Sequence, residues 1–182
     1  MASLSLGVRR ILLPLLLTPV ALAFGLPVFT AFESSPVGLL RWRKSLITVS
    51  FVHDGNWSAQ REASARKGIA EWTYVWGRSG IPSVAMVEGP ADVLVRFVQK
   101  SSLEGDRVGK MGWISRGGEI RSATMYLAID GGDNAVATAA HESGHMLGIV
   151  EHSSDPHDLM YQTPGDNSVT VNDIQALDRH YR

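Results

Sequence analysis

Apolar positions change period several times along the chain. Leu46 to Val52 alternates hydrophobic and polar residues, with many β-branched side chains, and predicts a strand closed by the turn sequence Asp54-Gly55-Asn56. Ser58 is suited to an N-cap, and Ala65, Ile69, Trp72 and Trp76 then recur at helical spacing, predicting a helix to about Trp76. Val84 to Val87 and Asp92 to Val98 read as two further strands, parted by Gly89-Pro90. Gly105 to Gly118 is rich in irregularly spaced glycine and reads as a flexible surface hairpin. Arg121 to Ile129 is a strand with Ala123, Met125, Leu127 and Ile129 on one face. Gly131-Gly132 turns the chain, and Asp133 or Asn134 caps a helix to about Leu147. A last amphipathic helix follows Thr170, with Ile174, Leu177 and Tyr181 in phase. Strands that lead and helices that close predict an α+β domain.

The start of the chain obeys a different pattern. Residues 11–32 are uncharged and mostly apolar, and Arg9 and Arg10 precede them. That is an export signal, long enough to cross a hydrocarbon core of about 30 Å, with the arginines held on the cytoplasmic side. Ala21-Leu22-Ala23 resembles a signal-peptidase site, while the apolar run continues to Phe32, so residues 1–40 read as a signal peptide or a membrane anchor plus a short spacer. Residues 41–182 form the folded domain, expected outside the cytoplasm, either extracellular or membrane-anchored.

Composition narrows the class. With 182 residues, 45% of them hydrophobic, and a formal net charge of −1, there is material for one soluble domain and nothing that points to a nucleic-acid partner. The absence of cysteine excludes disulfides, thiolate ligands and a cysteine nucleophile, so any metal must be held by histidine and carboxylate. Neither GK[ST] nor GxGxxG occurs.

The chemistry concentrates in His141-Glu142-Ser143-Gly144-His145. Histidines at i and i+4 project from one helix face, so both imidazoles can reach one tetrahedral Zn²⁺. Glu142, next to the first, is directed to the side where an attacking water would sit and can act as general base. Gly148 follows where a left-handed residue can end the helix and turn the chain back. His152 and, in the run Asp158-Leu159-Met160-Tyr161, a methionine lie downstream. A downstream glutamate ligand is excluded, since no Glu occurs after Glu151.

The run HESGHMLGIVEH with Met160 resembles the metzincin signature HExxHxxGxxH followed by a Met-turn, and His152-Ser153 and Leu159-Met160-Tyr161 are most similar to its matrixin branch. RWRKSLITVSFV, ADVLVRFV and VTVNDIQALDRHY extend the resemblance over residues 41–182. The resemblance implies a metzincin-like catalytic domain: a twisted, mostly parallel sheet with one antiparallel edge strand, two long helices and a C-terminal helix. That edge strand would be Arg121 to Ile129. It would offer Ser122, Ala123 and Thr124, with Tyr161 from the Met-turn, to a polypeptide substrate bound as an extended strand. The implied activity is zinc-dependent endopeptidase, with Glu142 as base, His141, His145 and His152 as ligands, Met160 as an apolar floor, and a monomeric state. A catalytically silent peptide-binding domain on the same fold, or hydrolysis of a non-peptide amide, are the alternatives.

Two departures from the pattern matter. The third histidine comes one residue late, so that Glu151 occupies the position where the family places its ligand. His152 is nevertheless expected to bind, because an extra residue beyond Gly148 fits as a loop bulge, with Glu151 facing solvent. The pro-segment cysteine that caps zinc in many matrixins has no counterpart here. Asp130, Asp133, Asp106 and Glu104 could bind a structural Ca²⁺ but read as turn and cap residues. His53, His157 and His180 read as surface histidines, His157 being a substitute ligand at most, and Trp42, Trp57, Trp72, Trp76 and Trp113 as core or rim packing.

Overall fold

The computed structural model describes residues 39–130, 135–163 and 168–182. The apolar run 11–32 and the Asp133/Asn134 cap lie outside them; among the described residues no helix is long and apolar enough to cross a membrane.

The strands are β1 (Leu46–Phe51), β2 (Ser83–Met86), β3 (Val93–Val98), β4 (Gly109–Arg116) and β5 (Glu119–Ala128), and the helices α1 (Ala59–Ala70), α2 (Ala135–Met146) and α3 (Val171–Tyr181). They make the expected α+β domain. One sheet has the order β2-β1-β3-β5-β4. All neighbours are parallel except β4 and β5. Inward residues of the central strands, Ile47, Val49, Val93, Val95 and Met125, are fully buried, and Ile69 and Trp72 join them in one core.

One expectation about the sheet is corrected. Arg121 to Ile129 is not the edge: β5 lies inside the sheet, parallel to β3 and antiparallel to β4, and β4 is the antiparallel edge strand. The stretch read as a flexible hairpin therefore contains a strand. Glycine depresses strand propensity and hides the alternation that places Met111 inward. Gly117 and Gly118, both at positive φ (58° and 77°), make the tight turn that returns the chain as β5.

The first helix is also shorter than expected. Ser58 caps it through Arg61 N–H, but α1 ends at Ala70 and continues as a 3₁₀ turn, Thr73–Val75. The tightening aims Trp72, whose indole N–H donates to the Ala140 carbonyl at 2.8 Å and joins the turn to α2. Gly68 allows the helices to touch, since a Cβ there would lie 2.7 Å from the Ala139 methyl. The third helix begins as expected: Thr170 and Asp173 form a reciprocal capping box.

Candidate active site

The C-terminal half of α2 carries the chemistry and is buried: His141, Glu142 and His145 are 3%, 5% and 7% exposed. His141 Nδ1 lies 2.8 Å from the Leu159 carbonyl and His145 Nδ1 lies 2.6 Å from the Ile149 carbonyl. A carbonyl only accepts, so each Nδ1 is the protonated nitrogen and each Nε2 keeps a free lone pair. The second tether exists because the chain reverses at Gly148, whose φ is +114° and whose missing side chain leaves room for the Leu40 carbonyl.

That reversal also brings back His152. The ligating nitrogens of His141, His145 and His152 all lie within 4.8 Å of one another. The His152 ring stacks 5.2 Å from His141 and meets His145 edge-on at 5.0 Å. Glu151 is exposed and outside the cluster, as is His157. Burial first, then the neighbouring histidines, depresses the His145 imidazolium to about 3 against a weaker pull from its carbonyl tether. Burial likewise lowers His141 and His152. Three neutral imidazoles with free lone pairs, two held by carbonyl tethers, fit a tetrahedral metal ion with an open fourth position.

Glu142 sits beside this triad. Burial pushes its carboxyl up to about 8, with the Arg107 guanidinium pulling the other way, and Oε2 has no hydrogen-bond partner among the described residues. A buried carboxyl oxygen without a partner is costly, and it marks Glu142 as a candidate functional group. The edge strand passes directly over it, for a Cβ at Gly109 would stand 2.6 Å from Oε1. Farther along β4, the Trp113 indole N–H donates to the His145 carbonyl at 3.0 Å.

Met160 is 1% exposed and packs on the same helix; a Cβ at Gly144 would run into its sulfur. Both backbone N–H groups of Leu159 and Met160 donate to the Asp173 carboxylate, at 3.0 and 3.1 Å. Tyr161 is half-buried and bridges to Ser153. Ser122, Ala123 and Thr124 pair with Ile114, Trp113 and Gly112 on β4, and Ala123 and Thr124 also with β3. Being interior, β5 leaves the outer side of β4 as the sheet edge beside the triad.

The remaining sequence candidates take structural roles. His180 is not a surface residue: it is 5% exposed and its Nδ1 lies 3.1 Å from the Leu40 carbonyl. Hydrophobic periodicity misses it because a histidine on an apolar face counts as polar. His53 packs at a tilt against the Trp57 ring, centroids 4.3 Å apart, and lies 3.1 Å from Glu62. Trp42 and Trp72 are core. Asp130 accepts from Lys100 N–H, and Glu104 pairs with Arg107 and Lys110. Sequence reasoning gives no role in the site to Arg107 or Asp173, reads Trp113 only as core or rim packing and Asp158 only as the start of the run to Tyr161; of these only Asp173 had a local signal, the Thr-x-x-Asp spacing of a capping box.

The sequence profile of the matrixin peptidases matches residues 41–182, the segment that holds the sheet, the three helices and the histidine triad. This chain therefore belongs to the matrixin family, whose members are metallopeptidases.

Proposed function

We propose that the domain is a zinc-dependent endopeptidase that binds Zn²⁺ through His141, His145 and His152 and uses Glu142 as general base. The observation that carries this reading is the convergence of three imidazoles, two with Nε2 freed by carbonyl tethers, beside a buried carboxylate oxygen without a partner. Zn²⁺, when bound, supplies Lewis acidity that brings water's ionisation near neutrality and polarises a carbonyl. Glu142 takes the proton of the attacking water and delivers it to the departing amine. The outer edge of β4 pairs with an extended peptide, which aligns the scissile carbonyl over the triad and favours unfolded or loop segments as substrate. Met160 and Trp72 close the floor against water. The apolar run 11–32 supports export, with the domain outside the cytoplasm, cleaved or anchored; a start near Met1 in protein from native membranes means an anchor, and one near Phe24 means secretion.

Incubation of the chain with an unfolded protein, with and without a chelator, tests the activity. Cleavage that a chelator abolishes and Zn²⁺ restores is expected. No cleavage at full zinc occupancy would favour the silent binding domain. The third ligand is tested separately: His152→Ala should cost most of the zinc affinity and all activity, while Glu151→Ala should keep both. The reverse outcome would move the ligand to Glu151. Glu142→Gln should retain zinc and lower turnover at least about 10²-fold; near wild-type turnover would remove Glu142 from its role.

A further inference from the structure

The three histidines of the triad are not held alike. His141 and His145 stand on α2 and each ring is tied to a carbonyl, whereas His152 lies outside any helix, is exposed, and its ring has no hydrogen-bond partner among the described residues. Its position must therefore come from the backbone next to it. Ser153 supplies that anchor: its N–H donates to the Met160 carbonyl at 2.7 Å and it forms a bridge with Tyr161. Its hydroxyl donates to Asp158 Oδ2 at 2.6 Å and accepts from Asp155 N–H at 3.1 Å.

Asp158 is the centre of this arrangement. It is 2% exposed. Oδ1 accepts from the Thr170 hydroxyl at 2.6 Å, and the Asn172 amide lies 3.3 Å from both carboxylate oxygens. One side of the carboxylate thus holds the residue after His152, and the other holds the N-terminus of α3, where Thr170 is also the cap. Burial alone would raise this carboxyl, but the donors from Ser153, Thr170 and Asn172 outweigh it and keep the group ionised. A charged acceptor makes the bonds to both hydroxyls short and directional. Asp173, fifteen residues on, ties Leu159 and Met160 to the same helix end, so the loop between His152 and Tyr161 is pinned along its length to a rigid element.

We infer that Asp158 is the positioning residue for the third metal ligand: through Ser153 it locks the His152 backbone to the N-terminus of α3 and replaces the ring tether that His152 lacks. The inference rests on the proposed metal site. Losing a supporting partner of this kind typically weakens metal binding about 10- to 100-fold.

Zinc affinity, measured by chelator competition on the full chain, tests the idea, with circular dichroism confirming that each variant is folded. Asp158→Ala and Ser153→Ala should each weaken Zn²⁺ at least about tenfold, and Asp158→Asn, which keeps one acceptor oxygen, should fall between wild type and alanine. The Co²⁺-loaded alanine variants should show altered d–d absorption, reporting a changed ligand geometry. Asp92→Asn is the control, because Asp92 joins Lys44 and Thr48 in a comparable network elsewhere; it should lower stability and leave zinc affinity unchanged. If Asp158→Ala does not fold, Ser153→Ala carries the test. Folded Asp158 and Ser153 variants with wild-type zinc affinity and Co²⁺ spectrum would overturn the inference. A wild-type chain that does not bind zinc would instead overturn the metal site itself.

Discussion

Single residues at this site are constrained by what stands beside them as much as by their own chemistry. Gly144 lies between the two helical histidines, and a methyl there would run into the Met160 sulfur and stand 2.8 Å from the Trp72 ring. Met160 can yield, but Trp72 is buried and fixed by its bond to the Ala140 carbonyl. Gly144→Ala should therefore cost about 1–3 kcal/mol of stability, the usual penalty for overpacking, which denaturant unfolding would measure. A cost near zero would mean that Met160 moves freely. The i, i+4 histidines and the adjacent glutamate were legible from spacing alone, because helix geometry is fixed and dictates which side chains meet. Asp158 was not, since an aspartate in a loop becomes a clamp only once Thr170 and Asn172, twelve and fourteen residues on, fold against it, and no local pattern joins residues so far apart.

At the scale of elements, the candidate site is a contact between α2 and the edge strand. The helical histidines make α2 legible in the sequence, whereas β4 is disguised, because Gly109, Gly112 and Trp113 read as loop and rim. The register explains the glycines differently. A Cβ at Gly109 would meet Glu142 Oε1 at 2.6 Å, Glu142 Cγ at 2.8 Å and Thr138 Cγ2 at 2.7 Å, whereas at Gly112 the nearest atom is 3.8 Å away. Gly109 is thus required for the strand to lie on Glu142, and Gly112 is not. Gly109→Ala should displace either β4 or Glu142; a misplacement of about 1 Å costs on the order of 10² in rate, with zinc content unchanged. Gly112→Ala should stay within a few-fold of wild type. Equal effects of the two substitutions on peptide hydrolysis would show that the strand can shift without disturbing Glu142.

Across the whole domain, the segment that leads into β1 and the last helix meet behind the site. The Leu40 carbonyl lies against both Gly148 and His180, Trp42 donates its indole N–H to the Met146 carbonyl at 2.8 Å, and the Tyr181 hydroxyl donates to the Leu147 carbonyl at 2.7 Å. Two hydrogen bonds and the close approach of Leu40, from the segment before β1 and from the last helix, thus hold the turn from which His152 departs. His180 makes this junction sensitive to acid. Burial, the leading cause, holds its imidazolium below the usual range; the bond to Leu40 and the Glu151 carboxylate oppose this, and Arg179 adds to it. The unfolded chain therefore binds the His180 proton at a higher pH than the folded one, and folding stability is complete above about pH 6.5 and falls as pH drops through the depressed folded value. Glu62, Asp92 and Asp158 add a second loss at lower pH. In each, burial raises the carboxyl but hydrogen bonds and cations lower it further, so their contribution is present above the ordinary carboxylate range and disappears below about pH 4. Urea unfolding of the metal-free chain between pH 7 and pH 5 should show a decline that His180→Gln makes shallower without removing it, because His141, His145 and His152, also held below the usual range by burial, lose stability over the same interval while Glu142, held above its range, opposes them; the steeper loss below pH 4 persists in that variant. Metal-free protein is essential to the measurement, since Zn²⁺ release by the histidine triad falls in the same range. A His180→Gln profile with the same slope as wild type from pH 7 to pH 5 would show that His180 takes its proton without loosening the junction between the segment at Leu40 and the last helix.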